Sequence, residues 1–384
     1  MSNINFLLID DEQQQEDMFK EAIDEINEED KSNKLTYKAV KTPEEAMIEL
    51  YKNYYQAIIM DLKLTSDDSI TGDDEQISGN ILLQQIIQKE IIPIVIRTGF
   101  PSKVSDNINQ SIVDVFSKEE PLYGIIKKLI EKYNDSVFKI FGSRGEISNN
   151  IKELFWEVMP TYFNNKDNEI NDISQLPKDK QETVIIRYIS SWFSNKYMFD
   201  EKYIDVEPIE MYMFPNPIEQ VCTCDIYEKN ISEDNYEYYI VVTPSCDLAN
   251  KKVDEVILCK IKKYDEIQSF LDQLDKYNNE SNKDSVRAKK SKNSLSKWFR
   301  NSHPDSMRYH FLPKVNKFNG GFVDFRTIIS LEYNKDSGKI INKNYSKVGV
   351  ITESFKRDIV SRFASYYHRQ GQPEFNCDSV LKNL

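Results

Sequence analysis

Four stretches in the first third of the chain each set a reactive side chain just past a short apolar run. Ile4-Asn5-Phe6-Leu7-Leu8-Ile9 ends in Asp10-Asp11-Glu12, and Ala57-Ile58-Ile59-Met60 runs straight into Asp61. Ile96-Arg97-Thr98-Gly99 delivers a hydroxyl, and Phe116-Ser117-Lys118 delivers an ammonium. An unpaired carboxylate is costly at the end of an apolar strand, so Asp61 belongs where the strand's carboxyl edge opens to solvent and a cation can reach it. Asp10, Asp11 and Asp61 in one pocket repel one another unless a hard divalent cation is held between them. Oxygen-only ligation selects Mg²⁺ or Mn²⁺. Metal, carboxylate, hydroxyl and lysine together make a site for accepting a phosphoryl group. The metal and Lys118 neutralise phosphate oxygens, and Asp61 attacks in line.

The elements that must position these groups follow from periodicity. Ile4 to Ile9, Lys34 to Val40, Ala57 to Met60, Ile91 to Arg97 and Val113 to Ser117 read as strands, the apolar ones as buried parallel strands. Between them, Glu16 to Ile26 carries Met18, Phe19, Ala22, Ile23 and Ile26 at helical spacing. Thr42-Pro43-Glu44-Glu45 opens a second helix with an N-cap, a proline in the first turn and acids at the positive end of the dipole. Ile81 to Ile87, Val104 to Ile112 and Leu122 to Tyr133 complete five helices. Five strands alternating with five helices predict a doubly wound parallel sheet, in which the ends of the first and third strands lie side by side.

On these residues the stretch 4–133 resembles the receiver domain of two-component response regulators. The resemblance implies an acidic pair at Asp10 and Asp11, a phosphoacceptor at Asp61 and a metal-binding backbone carbonyl at Lys63. It also implies a switch hydroxyl at Thr98, an aromatic switch partner at Phe116 and the family lysine at Lys118. It makes Asp61, Thr98 and Lys118 the catalytic set, and a sensor histidine kinase the phosphate donor. Three features depart from the pattern. Thr65 stands where a proline is common, and Gly79 comes late. Glu119-Glu120-Pro121 follows the lysine where proline is usually adjacent. The acidic stretch Ser66 to Glu75 reads as an insertion beside the pocket, either a gate on phosphorylation or a solvated loop without a role.

Composition bounds the rest. The chain has 384 residues, 40% hydrophobic and 29% charged, with mean hydropathy −0.59 and no apolar run long enough to span a bilayer. The start Met1-Ser2-Asn3-Ile4-Asn5 shows no export signal, and five scattered cysteines suit a reduced cytoplasmic protein. Charge is uneven: residues 1–135 hold 14 Lys+Arg against 27 Asp+Glu, and residues 136–384 hold 36 of each. An acidic receiver domain, 1–135, is therefore expected to precede an electrically balanced output domain, 136–384.

That second region reads as a helical pair over 147–200, a β-rich part over 208–352 and a C-terminal helix over 353–370. Together these predict an α+β module with a mostly antiparallel sheet or small barrel. The helical pair either dimerises two copies or covers the sheet. Thr243-Pro244-Ser245-Cys246-Asp247 follows a strongly apolar strand, and Cys246 with Asp247 is either a nucleophile seeking a distant histidine or an inert thiol. The enzymatic reading, a stress- or defence-type effector, requires Cys246, Asp247, Arg308, Asp324 and a histidine to converge, with His368 and Arg369 as further output candidates. Cys222-Thr223-Cys224 with Cys246 and Cys259 offers four thiols, but C-x-C on a strand lacks the usual zinc-knuckle spacing. Residues 283–300 carry Lys283, Arg287, Lys289, Lys290, Lys292, Lys297 and Arg300 with Trp298 and Phe299, a mixture suited to nucleic acid or a solvated basic surface. The sequence thus predicts a response regulator phosphorylated on Asp61, controlling an output that is an enzyme, a nucleic-acid binder or a protein-interaction scaffold.

Overall fold

The computed structural model describes residues 2–64, 73–104, 108, 112–160, 176–199, 206–232, 235–369 and 374–382. The chain divides into two compact units, Met1–Ser194 and Asn195–Leu384. Most of the acidic stretch 66–75 lies outside the described residues, as do most of 104–112 and residues 370–373.

In the first unit, β1 (Ser2–Ile9), β2 (Asn33–Val40), β3 (Ala57–Met60), β4 (Ile94–Thr98) and β5 (Val113–Ser117) form one parallel sheet in the order β2-β1-β3-β4-β5. This is the flavodoxin-like doubly wound order, whose switch point lies between β1 and β3. Strand alternation sorts the core into two layers. Leu7, Ile9, Ile58, Met60, Ile94 and Ile96 face α2 (Pro43–Lys52) and α3 (Asp73–Lys89). Ile4, Phe6, Leu8, Ile59 and Val95 face α1 (Gln13–Glu29) and α4 (Leu122–Asn134). Phe19, Ala22, Ile23 and Ile26 form the buried stripe of α1, spaced as a helix on a sheet requires. Each large side chain so buried contributes roughly 1.5–3 kcal/mol. The expected N-cap of α2 is present, with the Thr42 hydroxyl accepting from the Glu45 N–H at 3.2 Å.

After α4 the chain continues through α5 (Ser136–Phe141), α6 (Glu146–Glu153), a π-helical turn over Leu154–Val158 and α7 (Lys178–Phe199). The α5–α6 turn is tied to the amino-terminal edge of the sheet. The Ser143 hydroxyl donates to Glu90 at 2.8 Å, and the Arg144 guanidinium lies 4.1 Å from the Tyr54 ring centroid.

The second unit is built on an antiparallel sheet curled into a half-barrel, ordered β10-β11-β9-β8-β7-β13-β6, with β12 paired to β11. Its strands are β6 (Tyr212–Met213), β7 (Asp225–Ser232), β8 (Asn235–Val241), β9 (Glu255–Lys262), β10 (Tyr309–Leu312), β11 (Gly321–Asn334), β12 (Lys339–Ile340) and β13 (Tyr345–Ile351). One face packs Ile226, Ile240, Cys259, Val323 and Phe325 against Ile359 of α11 (Glu353–Tyr367). The other packs Tyr227, Tyr239, Val241 and Leu258 with Leu248 of the short α8 (Ser245–Ala249). Two further helices, α9 (Gln268–Asn278) and α10 (Val286–Phe299), close an aromatic cluster of Phe270, Trp298 and Phe322. A last short helix, α12, covers Cys377–Leu381.

Two details correct the expectations. The Cys222-Thr223-Cys224 stretch is not on a strand: β7 begins at Asp225, and Cys224 takes a left-handed φ of 67°. The basic segment is the amphipathic helix α10, whose Ala288, Leu295 and Trp298 are buried.

Candidate functional site

The carboxyl ends of β1, β3, β4 and β5 meet at one edge and bring the predicted residues together. Asp10 and Asp61 extend neighbouring strands, Asp10 N–H donating to the Val40 carbonyl at 3.1 Å and Asp61 N–H to the Ile9 carbonyl at 2.9 Å. Ligand atoms of Asp10, Asp11 and Asp61 all lie within 4.8 Å of one another. Three clustered carboxylates supply the hard-oxygen chemistry that suits Mg²⁺. Lys118 Nζ reaches Asp61 Oδ2 at 2.8 Å, Glu12 Oε1 at 3.2 Å and Asp10 Oδ2 at 3.4 Å. The Lys118 N–H donates to the Thr98 carbonyl at 3.2 Å, which locks the ends of β4 and β5 in register. Thr98 is buried beside them, its Oγ1 accepting from the Phe100 N–H at 3.4 Å. Phe116 is half-buried against the α1–α4 layer, with Lys128 Nζ 5.0 Å from its ring centroid. Lys63 is exposed two residues after Asp61.

The electrostatics are those of crowded acids sharing few cations. Burial pushes the Asp10 carboxyl up to about 6; the Glu12 N–H and Lys118 work against this shift, and the Asp61 charge adds to it. Burial disfavours the Lys118 ammonium, but the carboxylates of Asp61, Asp10 and Glu12 outweigh it and hold the group above the ordinary lysine value. A divalent cation shared by the three aspartates would reverse the penalty of crowding them.

Three contributors escape a reading of the sequence. Arg97 was visible only as the last residue of an apolar strand, yet it is buried behind the pocket. It donates to Gln15 Oε1 on α1, to the Lys118 carbonyl and, at 3.3 Å, to the Glu120 carbonyl. Glu12, beyond the acidic pair, shares Lys118. Gly79 marks a close crossing: a Cβ there would stand 2.1 Å from the Leu62 carbonyl oxygen, so α3 can pass over the segment after Asp61 only as glycine. The sequence marks Gly79 only as a late turn glycine ahead of the helix expected from Ile81, whereas α3 runs through it.

The output candidates do not gather in the same way. Cys246 is exposed on α8, with its Sγ 3.7 Å from its own neighbour Asp247, whereas Arg308 and Asp324 pair on β11 and the turn before β10. Asp324 accepts from Arg308 Nε at 2.7 Å and Nη2 at 2.8 Å, and from the Thr327 hydroxyl at 2.8 Å. Arg369 stacks on Tyr366 at 4.1 Å, and it lines a hollow with Arg308 and Tyr309. His368 is exposed at the end of α11. Arg308 thus meets Asp324 and shares a hollow with Arg369, whereas Cys246 and Asp247 contact each other on α8. Among the described residues the cysteines join no group with metal-binding spacing. On α10 and at its C-cap Arg300, the side chains of Arg287, Lys289, Lys290, Lys292 and Arg300 are exposed, but Trp298 is fully buried and stacked on His303 at 4.0 Å. It is a core residue and offers no platform to a base.

Fold and pocket together define the class: residues 2–134 form a doubly wound parallel α/β domain of flavodoxin-like strand order with an acidic site at its carboxyl edge. Among solved structures, the chain is similar to a CheY-like receiver domain from Methylobacillus flagellatus, at 18% identity over 33% of this chain and 99% of that one, TM-score 0.26. It is also similar to the receiver domain of an HD domain-containing protein from Pseudomonas fluorescens, at 16% identity over 34% and 98%, TM-score 0.27. A third is the response regulator TrrA from Thermotoga maritima in complex with Mg²⁺ and BeF, at 18% identity over 34% and 98%, TM-score 0.26. No family model matches the chain, and no curated protein does. No helix among the described residues is long and apolar enough to cross a membrane.

Proposed function

We propose that the chain is a response regulator whose receiver takes a phosphoryl group onto Asp61 from the phosphohistidine of a sensor kinase and thereby controls the unit over 195–384. The observation that carries this reading is the approach of Lys118 to Asp61 and Asp10 at the edge where Asp11 and Thr98 also end. A Mg²⁺ or Mn²⁺ ion held by Asp10, Asp11, Asp61 and the Lys63 carbonyl would supply neutralisation of phosphate oxygens when bound. The chain's own residues do the rest. An Asp61 carboxylate oxygen forms the new P–O bond as the P–N bond of the donor breaks, and the departing imidazole keeps the electron pair. Lys118 stays with the carboxylate and takes up the charge gathering on phosphorus, while the Thr98 hydroxyl lies within the same edge to bond a phosphoryl oxygen. Phe116, half-buried beside Lys128, is the switch partner that moves with Thr98. Incubation of the full chain with Mg²⁺ and phosphoramidate tests the reading. Intact-mass analysis should show one added phosphoryl group in the wild type and none in Asp61→Asn. Equal labelling of both proteins, or of neither, would overturn it.

A further inference from the structure

Receiver-type chemistry as described needs one cation from the protein, and this pocket has two. Arg97 lies in β4 directly before Thr98, and its side chain crosses beneath the acidic edge, buried from solvent. Its guanidinium spans three elements: Gln15 on α1, and the Lys118 and Glu120 carbonyls on the turn that follows β5. That turn lacks the stiffening of a proline directly after the lysine. It is held instead by the Glu120 N–H donating to the Ser117 carbonyl at 3.1 Å, by the Glu120 carboxylate accepting from the Ser117 N–H at 3.1 Å, and by Arg97. Burial works against the charged guanidinium and holds it below the ordinary arginine value, the carboxylates of Asp10, Asp61, Glu12 and Glu120 oppose that shift, and Nε has no hydrogen-bond partner among the described residues. A buried, permanently charged group bonded to the carbonyl of the very residue whose ammonium meets Asp61 has two consequences. It fixes where Lys118 starts from, and it adds a fixed positive charge behind the three aspartates.

We infer that Arg97 is a positioning residue for phosphoryl transfer. It holds the Lys118–Glu120 turn so that the ammonium stays on Asp61, and it lowers the negative potential against which a phosphoryl group must approach. The inference rests on the proposed function of the pocket. Its signature has two opposite signs. Removing Arg97 makes the pocket more negative, so divalent metal should bind more tightly. The phosphoryl donor is an anion and Lys118 loses its anchor, so transfer should slow. A distorted pocket would weaken both.

The experiment uses the full chain in wild-type, Arg97→Met and Arg97→Lys forms. Mg²⁺ affinity is read by titration calorimetry and phosphorylation by phosphoramidate with intact-mass detection. Arg97→Met should bind Mg²⁺ roughly three- to tenfold more tightly and be phosphorylated at least about tenfold more slowly. Arg97→Lys, which keeps the charge without the fork, should restore the wild-type Mg²⁺ affinity and recover only part of the rate. Unchanged rates, or Mg²⁺ binding weakened together with the rate, would overturn the inference while leaving phosphorylation at Asp61 standing. Should Arg97→Met prove unfolded by circular dichroism, the Arg97→Lys pair of measurements decides: a full wild-type rate there rejects the need for the fork. Absence of phosphorylation in the wild type would instead defeat the underlying reading of the pocket.

Discussion

Asp61 and Asp324 are both buried carboxylates at the end or bend of a strand, and their surroundings could hardly differ more. Asp324 is fully buried and answered on every side: a two-pronged bond from Arg308, the Thr327 hydroxyl and the Arg326 N–H at 3.1 Å. Burial alone would push its pKa up, and these donors together hold it below the usual carboxylate range. Asp61 shares one ammonium with Asp10 and Glu12 and has another acid, Asp11, within ligand distance. The contrast separates a carboxylate whose charge is answered by several donors from one that shares a single ammonium with neighbouring acids. Buried charge by itself identifies neither.

The comparison can be broken by removing what answers each acid. The largest effect is expected in the second unit. Arg308→Ala leaves Asp324 charged and inside, which should cost about 3 kcal/mol of stability in urea unfolding; a loss under about 1 kcal/mol would mean that water or Lys262, 3.8 Å away, replaces the arginine. Next comes Gly79→Ala. Because the new Cβ meets backbone at Leu62, α3 must shift, costing about 1–3 kcal/mol and slowing phosphorylation. Wild-type stability and rate in that variant would show that the crossing relaxes freely.

A pH dependence sharpens the view of the second unit. His310 is fully buried on β10, and burial, with the Arg362 charge adding to it, pulls its pKa down to about 3. Its Nδ1 has no hydrogen-bond partner, and the Asp358 carboxylate at 3.6 Å is too distant to serve; a neutral ring makes no ion pair with it. The folded value lies below the unfolded one near 6.5, so the unfolded chain binds the extra proton between them. Stability should therefore be complete above about pH 6.5 and fall toward pH 3, by up to about 1.4 kcal/mol per pH unit from this one group. Unfolding of wild type and His310→Phe across that range isolates the contribution, since other acids are common to both. Parallel curves would refute it. The smallest stability effect is expected at Asp61. Asp61→Asn removes one charge from a crowd of acids and leaves Asp10 and Glu12 for Lys118, so stability should hold or rise by up to about 1 kcal/mol. A loss above that would make Asp61 a structural acid like Asp324.

How far the sequence reached differs between the same two regions. Short apolar strands ending in acids, a hydroxyl and a lysine are a local pattern, and parallel order carries all four ends to one edge, so the first sheet and its pocket were legible. The side chain of Arg97 was not, because strand alternation tells which face a residue takes and not what it reaches there. In the second unit most strands were visible from their Tyr, Val and Ile alternation, but the partnering of Arg308 with Asp324 joins segments that only the sheet brings together. The basic neighbours of Trp298 point to stacking on a base, whereas the side chain is fully buried. The spacing of Ala288, Leu295 and Trp298 along one helical face was the signal for burial. The β-favouring Val221, Thr223 and Tyr227 make the C-x-C stretch look like strand, and the left-handed turn at Cys224 has no glycine to announce it.

The central claim concerns one carboxylate, and chemical trapping addresses it without any assumption about the output unit. Full-length protein exposed to Mg²⁺ and phosphoramidate is quenched with borohydride, which reduces an acyl phosphate to the alcohol, and the peptides are mapped by mass spectrometry. Conversion of position 61 to homoserine, with Asp10 and Asp11 unmodified, is the predicted result. Reduction at another carboxylate, or at none while phosphate is still incorporated, would contradict it.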